Sequence, residues 1–300
     1  MRMLLLGASG QVGTELRRSL HDQASDVLVL ATRSGELSDG SRCEIADLAR
    51  PQTLRVLIAD IAPHIIVNAA AYTAVDRAEE EPDLAFAVNA EAPRVLAESC
   101  ARHSTTLVHY STDYVFDGRA TRPYREDHST APLGVYGASK LAGEQAIQSS
   151  GCHSMIFRSA WVYADHGHNF LRTMLRLGAE RDELRVVADQ FGTPTPASLI
   201  ADVTAAVLRA QPQQSGLWHL TATGQTSWHD FAQAIFASAV EYGLLQRAPR
   251  VVPITTADYP TRAQRPGYSV LDTRALCRDF GIELPDWRTA LRGVMAAQAR

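Results

Sequence analysis

The chain has 300 residues, of which 46% are hydrophobic and 21% charged, and its formal net charge is −4. These values are typical of a globular protein with a sizeable core, in one large domain or two smaller ones. The pI is near 6.2 and no basic stripe is present, so we expect no nucleic-acid partner. The four cysteines form no C-x-x-C pair, and no apolar run is long enough for a signal-peptide core or a membrane span. We therefore expect a cytoplasmic protein with no membrane partner.

Short apolar runs alternate with longer helical patterns over the first 160 residues, which indicates βαβ units. The runs are almost entirely apolar, as in strands buried on both faces. We predict an α/β fold with a doubly wound, Rossmann-type parallel sheet. The predicted strands are 3–6, 27–31, 65–68, 107–110 and 155–157, and the predicted helices are 12–21, 51–61, 84–103 and 139–149.

The pattern loosens after residue 160, where proline and glycine cluster at 192–196, 221–224 and 259–267 around predicted helices at 199–210 and 228–242. We predict a dinucleotide-binding domain over 1–160 and a smaller, mainly substrate-binding lobe over 161–300, with segments that return to the first domain. Ligands of open α/β sheets bind beyond the carboxyl ends of the strands. The strand ends and the second lobe should therefore line one cleft.

The stretch Gly7-Ala8-Ser9-Gly10-Gln11-Val12-Gly13 follows the first predicted strand and opens a helix. Gly7 would permit a tight turn, Gly10 would let the backbone approach a pyrophosphate, and Gly13 would let helix and strand pack closely. The free N–H groups of the helix N-terminus favour phosphate. Glycine-rich turns also form for conformational reasons alone, but this position between strand and helix predicts a dinucleotide site.

The end of the second predicted strand indicates which dinucleotide binds. An NAD enzyme usually places an acid there to hold the ribose 2′-OH, whereas this chain has Thr32-Arg33-Ser34 and no acid before Glu36. Arg33 would pair with a 2′-phosphate, with Thr32 beside it. We favour NADPH, with NADH as an accepted alternative; the other interpretation of Arg33 is a solvated loop arginine.

A tyrosine and a lysine lie four residues apart in Tyr136-Gly137-Ala138-Ser139-Lys140, on one face of a predicted helix. An ammonium near a phenol would lower the phenol's pKa from its ordinary value of about 10, and such a tyrosine can act as a general acid. Most such pairs are surface contacts, but the glycine turn upstream strengthens the prediction. Thr112 follows the strand 107–110 and would hydrogen-bond the substrate oxygen; the alternative is a turn that only closes the strand.

Longer stretches carry a family resemblance. The chain resembles the extended short-chain dehydrogenase/reductases, and more closely the branch that reduces the C4 keto group of dTDP-4-dehydro-6-deoxy-L-mannose with NADPH. The resemblance continues to Leu284-Pro285-Asp286-Trp287 and so covers nearly the whole chain. The matching stretches are 7–13, 67–76, 109–118, 136–140, 159–163, 189–192 and 265–266.

The resemblance implies a role for each matching site residue. Thr112, Tyr136 and Lys140 would be catalytic, with Lys140 also holding the nicotinamide ribose. Thr112, Asp113, Tyr136 and Trp161 would contact the dTDP-sugar, although Trp161 is also readily explained as core. A carboxylate at Asp113 would repel a diphosphate, so we place the diphosphate toward Arg265. The implied cofactor contacts, besides Gly7 and Gly13 of the turn, are Gly10, Gln11, Val12, Asp47, Leu48, Ala71, Tyr72, Thr73, Tyr110, Tyr136 and Lys140.

Some relatives are magnesium-bridged dimers that use acids near Glu15 and in the helix after Pro196. That helix begins Ala197-Ser198-Leu199 here, without an acid, so we expect no metal and either a monomer or a homodimer. His166-Gly167-His168 lacks an evident acidic third ligand, which favours a polar loop over a metal site.

Three rival functions share the fold. A dehydratase needs an Asp-Glu pair where this chain has Asp113-Tyr114, and an epimerase keeps its NAD bound, whereas Arg33 favours exchangeable NADPH. A non-catalytic subunit resembling the methionine adenosyltransferase beta subunit is the third, and the presence of Thr112, Tyr136 and Lys140 argues against it. Another sugar-nucleotide reductase of the same family also stays open.

Overall fold

The computed structural model describes residues 1–21, 27–211 and 213–299. The strands in these ranges are β1 (Arg2–Leu6), β2 (Val27–Thr32), β3 (Glu44–Ile45), β4 (Ile65–Asn68), β5 (Thr106–Thr112), β6 (Ser154–Ser159), β7 (Val162–Tyr163), β8 (Glu183–Val187), β9 (Phe191–Gly192), β10 (Thr195–Pro196), β11 (Gly216–His219), β12 (Thr226–Ser227) and β13 (Arg250–Ile254). The first six strands and β11 form a parallel sheet in the order β11-β6-β5-β4-β1-β2-β3. This sheet confirms the predicted fold class.

Some helices flank the sheet, and the others belong to the later part of the chain. They are α1 (Gln11–His21), α2 (Pro51–Ile61), α3 (Val75–Ala78), α4 (Pro82–Phe86), α5 (Ala92–His103), α6 (Val135–Ser149), α7 (Phe170–Glu180), α8 (Ala197–Ala210), α9 (Trp228–Glu241), α10 (Arg274–Phe280) and α11 (Trp287–Gln298). Short 3-10 turns occur at Asp113–Val115 and Thr256–Asp258. None of these helices is long and apolar enough to cross a membrane.

Alternating side chains of the strands fill two apolar cores, one on each face of the sheet. Met3 and Leu5 belong to a cluster that includes residues of α1 and α8, whereas Leu4 and Leu6 belong to one that includes residues of α2 and α5. Because successive side chains of a strand point to opposite faces, an almost continuous apolar run is what a doubly covered strand requires.

The predicted helix 84–103 is divided into α4, a π-helical turn at Ala87–Glu91, and α5. Pro93 lies at the start of α5 and has no N–H to donate to the Asn89 carbonyl, which disrupts the regular α-helical hydrogen bonding. Gly143 of α6 packs against this carbonyl, since a Cβ at Gly143 would lie 2.1 Å from it. The interruption therefore brings Asn89 close to α6.

The part after residue 160 contributes to both regions of the molecule. β11 pairs with β6 at the edge of the central sheet, and α8 packs on α1. The remaining elements surround an apolar cluster that includes Tyr163, Phe231 and Trp287. The domain boundary at residue 160 stays a prediction.

Candidate active site

The glycine turn joins β1 to α1 with close backbone contacts. Gly7 has φ 77°, and a Cβ at Gly13 would lie 2.0 Å from the Gly7 carbonyl oxygen. A Cβ at Gly10 would meet only that oxygen, at 3.3 Å. Glycine at 7 therefore supplies a left-handed turn and glycine at 13 the close approach. The Gly10 N–H donates to the Gly7 carbonyl at 2.9 Å, so the first N–H groups of α1, from Gln11 onward, are the ones left for a ligand.

The predicted cofactor residues after β2 and β3 lie at the same edge of the sheet. The Thr32 hydroxyl is 3% exposed and bonds both the N–H and the carbonyl of Glu36, each at 3.1 Å. Arg33, in the same loop, is exposed and has no hydrogen-bond or ion-pair partner among the described residues. Asp47 accepts a hydrogen bond from Ala49 N–H at 3.1 Å, and Leu48 is buried. The loop thus holds Thr32 in place and leaves the Arg33 guanidinium free.

The segment after β4, which contains Ala71, Tyr72 and Thr73, is tied to the helix of the predicted catalytic pair. Buried Asn89 accepts a hydrogen bond from Tyr72 N–H at 2.9 Å and donates to the Tyr72 carbonyl at 3.0 Å and to Ser139 Oγ at 3.1 Å. Ser139 in turn donates to the Tyr136 carbonyl at 2.8 Å. Sequence reasoning missed Asn89, because only the π-helical turn brings its amide to this position.

Thr112 and Tyr136 are brought together at the carboxyl end of β5. Thr112 Oγ1 accepts from Tyr114 N–H at 3.2 Å and donates to Asp113 Oδ1 at 3.0 Å. Burial raises the pKa of Tyr136, the nearby Thr112 hydroxyl opposes the rise, and the charge of Asp113 adds to it. The prediction that Lys140 lowers the pKa of this phenol is therefore wrong for this structure, because burial outweighs every other influence on it.

Lys140 is 2% exposed and its amine bonds to β5. Nζ donates to the Tyr110 carbonyl at 2.5 Å and lies 3.4 Å from His109 Nε2. Burial lowers the pKa of Lys140 to about 8, opposed by the charge of Glu144. The Tyr110 hydroxyl bonds Thr204 of α8 at 2.9 Å. Lys140 and Tyr136 thus lie on one helix face, but among the described residues the Lys140 amine donates its hydrogen bond to the Tyr110 carbonyl of β5.

Asp113 is 2% exposed, and its Oδ2 has no hydrogen-bond partner within the described ranges. Burial raises the pKa of this carboxyl to about 6, although the hydrogen bond from Thr112 to Oδ1 opposes the rise. A buried acceptor without a partner is rare in proteins and is a natural place for a ligand hydroxyl.

Trp161 follows β6 and would begin the second wall of the predicted cleft, whose first wall is the sheet edge that carries Thr112, Tyr136 and Lys140. Its ring stacks on Trp228 with centroids 3.5 Å apart and planes 4° apart, and its backbone is in the left-handed region at φ 48°. A Cβ at Gly192 would lie 2.4 Å from the Trp161 ring. Trp161 packs against both the second-lobe apolar cluster and a small cluster that includes Val115. A bulky residue held in a strained backbone conformation between two clusters is more typical of a functional position than of plain core.

Arg265 lies near Tyr114, but its guanidinium is paired. It donates to Asp76 Oδ2 at 2.6 Å and lies 5.9 Å from the centroid of the Tyr114 ring. The Tyr114 ring packs edge-on against Tyr136, with centroids 5.7 Å apart. Arg265 would therefore have to share or exchange its partner to meet a diphosphate.

The pair of histidines at 166 and 168 has acidic neighbours that sequence reasoning missed. Nε2 of His166 lies 2.6 Å from Glu15 Oε1, and one ligand atom each from Glu15, Asp165 and His166 lie within 4.8 Å of one another. The argument that His166 has no acidic partner is wrong, because Asp165 precedes it and folding brings α1 to it. The expectation that the chain binds no metal stays a prediction.

Comparison with known proteins agrees with this geometry. A family model described as the RmlD substrate binding domain matches residues 1–300. A dTDP-4-dehydrorhamnose reductase of Burkholderia thailandensis is 50% identical over 300 residues, covering 97% of each chain. The crystal structure of a dTDP-4-dehydrorhamnose reductase from Clostridium acetobutylicum superposes with a TM-score of 0.90 at 34% identity, over the whole of both chains.

A second solved structure contains a bound dinucleotide. The dTDP-4-dehydrorhamnose reductase of Bacillus anthracis, in complex with NADP, superposes with a TM-score of 0.89 at 33% identity and covers 99% of each chain. The chain belongs to the dTDP-4-dehydrorhamnose reductases, a family of NAD(P)H-dependent oxidoreductases within the extended short-chain dehydrogenase/reductases that act on a sugar nucleotide.

Proposed function

We propose that this chain reduces the C4 keto group of dTDP-4-dehydro-6-deoxy-L-mannose with NADPH and forms dTDP-L-rhamnose. The observation that carries the proposal is the position of Tyr136 beside the carboxyl end of β5. Its ring packs edge-on against Tyr114, two residues after Thr112, with centroids 5.7 Å apart, at the same edge of the sheet as the glycine turn. The relative from Burkholderia thailandensis, 50% identical over 97% of this chain, is a dTDP-4-dehydrorhamnose reductase.

The residues at the sheet edge fit a dinucleotide. The N-terminus of α1 offers N–H groups to a pyrophosphate, and Gly10 has no side chain to block its approach. Arg33 has no partner among the described residues, so its guanidinium can meet a 2′-phosphate. Asp47, Leu48, Ala71, Thr73 and the neighbouring strand ends would line the remainder of the cofactor. NADPH supplies the hydride to C4 of the sugar.

Tyr136 supplies the proton. Because burial raises the pKa of its phenol, the side chain is protonated at neutral pH and can donate to the oxygen at C4 as that oxygen gains negative charge. The Thr112 hydroxyl holds the same oxygen in line with the phenol. Lys140 holds the nicotinamide ribose and positions the cofactor beside Tyr136.

The substrate would lie between the two walls of the cleft. The unpartnered Oδ2 of Asp113 accepts a hydrogen bond from a sugar hydroxyl, and the Trp161 ring offers the hexose a flat apolar face. The diphosphate lies toward Arg265, which keeps its contact with Tyr114 while it turns from Asp76 to the phosphates.

The direct test is oxidation of NADPH by the purified chain in the presence of dTDP-4-dehydro-6-deoxy-L-mannose, with the sugar product identified by NMR. We expect turnover to dTDP-L-rhamnose and a preference for NADPH over NADH. NADPH binding without turnover would indicate a regulatory subunit, and a product with another configuration would indicate a different sugar-nucleotide reductase of the family.

A further inference from the structure

A buried histidine on β5 contacts the amine of Lys140. His109 Nε2 lies 3.4 Å from Lys140 Nζ, and across the ring His109 Nδ1 lies 3.1 Å from Asn68 Nδ2. Asn68 Oδ1 accepts a hydrogen bond from Ala70 N–H at 3.3 Å. His109 and Asn68 are each 1% exposed and Lys140 is 2% exposed, so these polar atoms must find their partners among one another.

The direction of each hydrogen bond in this series determines whether the Lys140 amine is neutral or charged. Ala70 donates to the Asn68 oxygen, so the Asn68 amide nitrogen donates to His109 Nδ1. A neutral imidazole that accepts at Nδ1 carries its proton on Nε2, and this proton points at Lys140 Nζ. Nζ can accept a hydrogen bond only as a neutral amine, whose own N–H then donates to the Tyr110 carbonyl.

Protonation of Lys140 reverses the direction of these hydrogen bonds. An ammonium has three donors and no acceptor, so His109 Nε2 must accept and Nδ1 must carry the proton. Asn68 must then turn its oxygen toward the ring, which removes the hydrogen bond from Ala70. We propose that His109 is a positioning residue for Lys140 that changes tautomer as Lys140 gains or loses its proton.

The surroundings of Lys140 contain few other charges. Glu144 lies one turn further along α6, and its carboxylate is held by Arg158 of β6 through two hydrogen bonds of 2.6 and 2.9 Å. His109 and the Tyr110 carbonyl face the amine from β5, and Asn68 reaches it from β4 only through His109. His109 itself is neutral and does not repel the Lys140 ammonium, because burial keeps the pKa of this ring well below its ordinary value.

The amino-acid composition indicates that position 140 specifically requires a lysine. Of the 29 lysine and arginine residues, Lys140 is the single lysine and the others are arginine. A guanidinium keeps its proton in proteins, whereas a buried lysine can lose it. Lys140 is therefore the one basic side chain of this composition that can alternate between ammonium and amine near neutral pH.

The role proposed for His109 adds to the proposed function and rests on it. Ala70 directly precedes the segment Ala71-Tyr72-Thr73 that would line the cofactor, so the proton on Lys140 is coupled to a backbone bond beside the cofactor. A reductase whose Tyr136 gives up a proton in every turnover requires a neighbour whose protonation can change without leaving a buried polar atom unpaired. The tautomer change of His109 meets that requirement.

The single lysine permits a direct measurement. Full-length protein labelled with ¹³C and ¹⁵N in lysine shows one lysine side-chain signal, and its pH titration gives the pKa of Lys140. Long-range ¹H–¹⁵N spectra of histidine-labelled protein identify the tautomer of His109, whose signals are assigned by their loss in His109→Gln. We expect the Nε2–H tautomer above the pKa of Lys140 and the Nδ1–H tautomer below it, with one shared midpoint. A ring that keeps one tautomer throughout overturns the proposal.

The variant His109→Gln tests the coupling. A glutamine amide can turn its oxygen to the ammonium without involving Asn68, so we expect the pKa of Lys140 to rise by at least one pH unit, a tenfold change in proton affinity, and the pH dependence of kcat to move with it. The matched control is His219→Gln, a histidine of β11 that is 0% exposed and is not bonded to Lys140, which should leave the titration of Lys140 unchanged.

An unchanged titration of Lys140 in His109→Gln contradicts the proposal. The NMR titrations need no turnover, so they separate the two hypotheses. A protein that shows the tautomer change but does not reduce the keto sugar contradicts only the proposed function.

Discussion

The two walls of the cleft are held by different forces. On the first wall, Lys140 and Thr112 are held by hydrogen bonds to backbone atoms, Lys140 Nζ to the Tyr110 carbonyl at 2.5 Å and Tyr114 N–H to Thr112 Oγ1 at 3.2 Å. On the second wall, Trp161 is held by a stacked ring at 3.5 Å. Hydrogen bonds fix direction, whereas stacked rings mainly provide a flat apolar surface. We therefore expect the first wall to control the rate and the second to control substrate affinity.

The strongest test of this comparison removes the proton donor of the first wall. Tyr136→Phe keeps the ring and its edge-on contact with Tyr114 but loses the phenolic proton. We expect kcat to fall by ~10²–10⁴-fold, the usual contribution of a general acid, with little change in the Kd of NADPH. Steady-state kinetics and a cofactor titration measure both, and near-normal turnover would contradict the assignment of the acid.

The first wall also depends on a buried ion pair that attaches α6 to β6. Glu144 and Arg158 are joined by hydrogen bonds of 2.6 and 2.9 Å, and their side chains are 1% and 5% exposed. Glu144→Gln leaves the Arg158 charge without its carboxylate, so the free energy of unfolding should fall by ~3–5 kcal/mol in a denaturant titration.

The matched control for this prediction is an exposed ion pair. Glu180→Gln breaks the pair of Glu180 with Arg176, whose side chains are 52% and 61% exposed. We expect a loss of at most about 1 kcal/mol, because water screens such pairs. Equal losses in the two variants would show that the buried pair does not hold the first wall in place.

Asp113 would bind the substrate in the proposed function, and its effect on stability depends on pH. Its folded-state pKa of about 6 lies above the ordinary value of 3.8, so the folded protein binds this proton more tightly than the unfolded chain does. The contribution of Asp113 to the free energy of unfolding should therefore fall as pH rises from about 4 to about 6, by up to ~3 kcal/mol. Asp113→Asn should remove this decrease, and denaturant titrations at pH 4 and 7 compare the two; parallel curves would contradict the prediction.

The preference for NADPH over NADH should not depend on either wall of the cleft. Arg33 follows β2, is exposed, and has no partner in the described part of the chain. Arg33→Ala should weaken NADPH binding by roughly 10- to 150-fold, since a charge-assisted hydrogen bond contributes ~1.5–3 kcal/mol, and should leave NADH binding unchanged. Titrations with both cofactors measure this difference, and an equal loss for both would mean that Arg33 acts on the structure of the loop.

The smallest effect is expected on the second wall. Trp228→Leu removes the ring that stacks on Trp161 and should raise KM for the sugar nucleotide by a few-fold, since such ring pairs contribute ~0.5–1.5 kcal/mol. Trp161→Ala should raise KM further, and neither variant should change NADPH affinity. A fall in kcat at constant KM would contradict the division of tasks between the walls.

The parts of this site that sequence reasoning predicted well are local. The order of strand, glycine turn and helix at Gly7 depends on residues within one short stretch, as does the spacing that puts Tyr136 and Lys140 on one helix face. The return of β11 to the edge of the central sheet was predicted only in general terms. No local pattern indicates which strand another strand will pair with when more than 50 residues separate them, as with β6 and β11.

The sequence by itself determined the alternation of strands and helices, the glycine turn, and the residue types to which we assign the chemistry. Only the tertiary structure decided what those residues bond to: His109 for the amine of Lys140, Asn89 for the segment at Tyr72, and Glu15 for His166, which is 151 residues away. It also reversed the expected direction of the pKa of Tyr136. The physical reason is that periodicity and turn chemistry act over a few residues, whereas burial and hydrogen-bond partners depend on how distant elements pack.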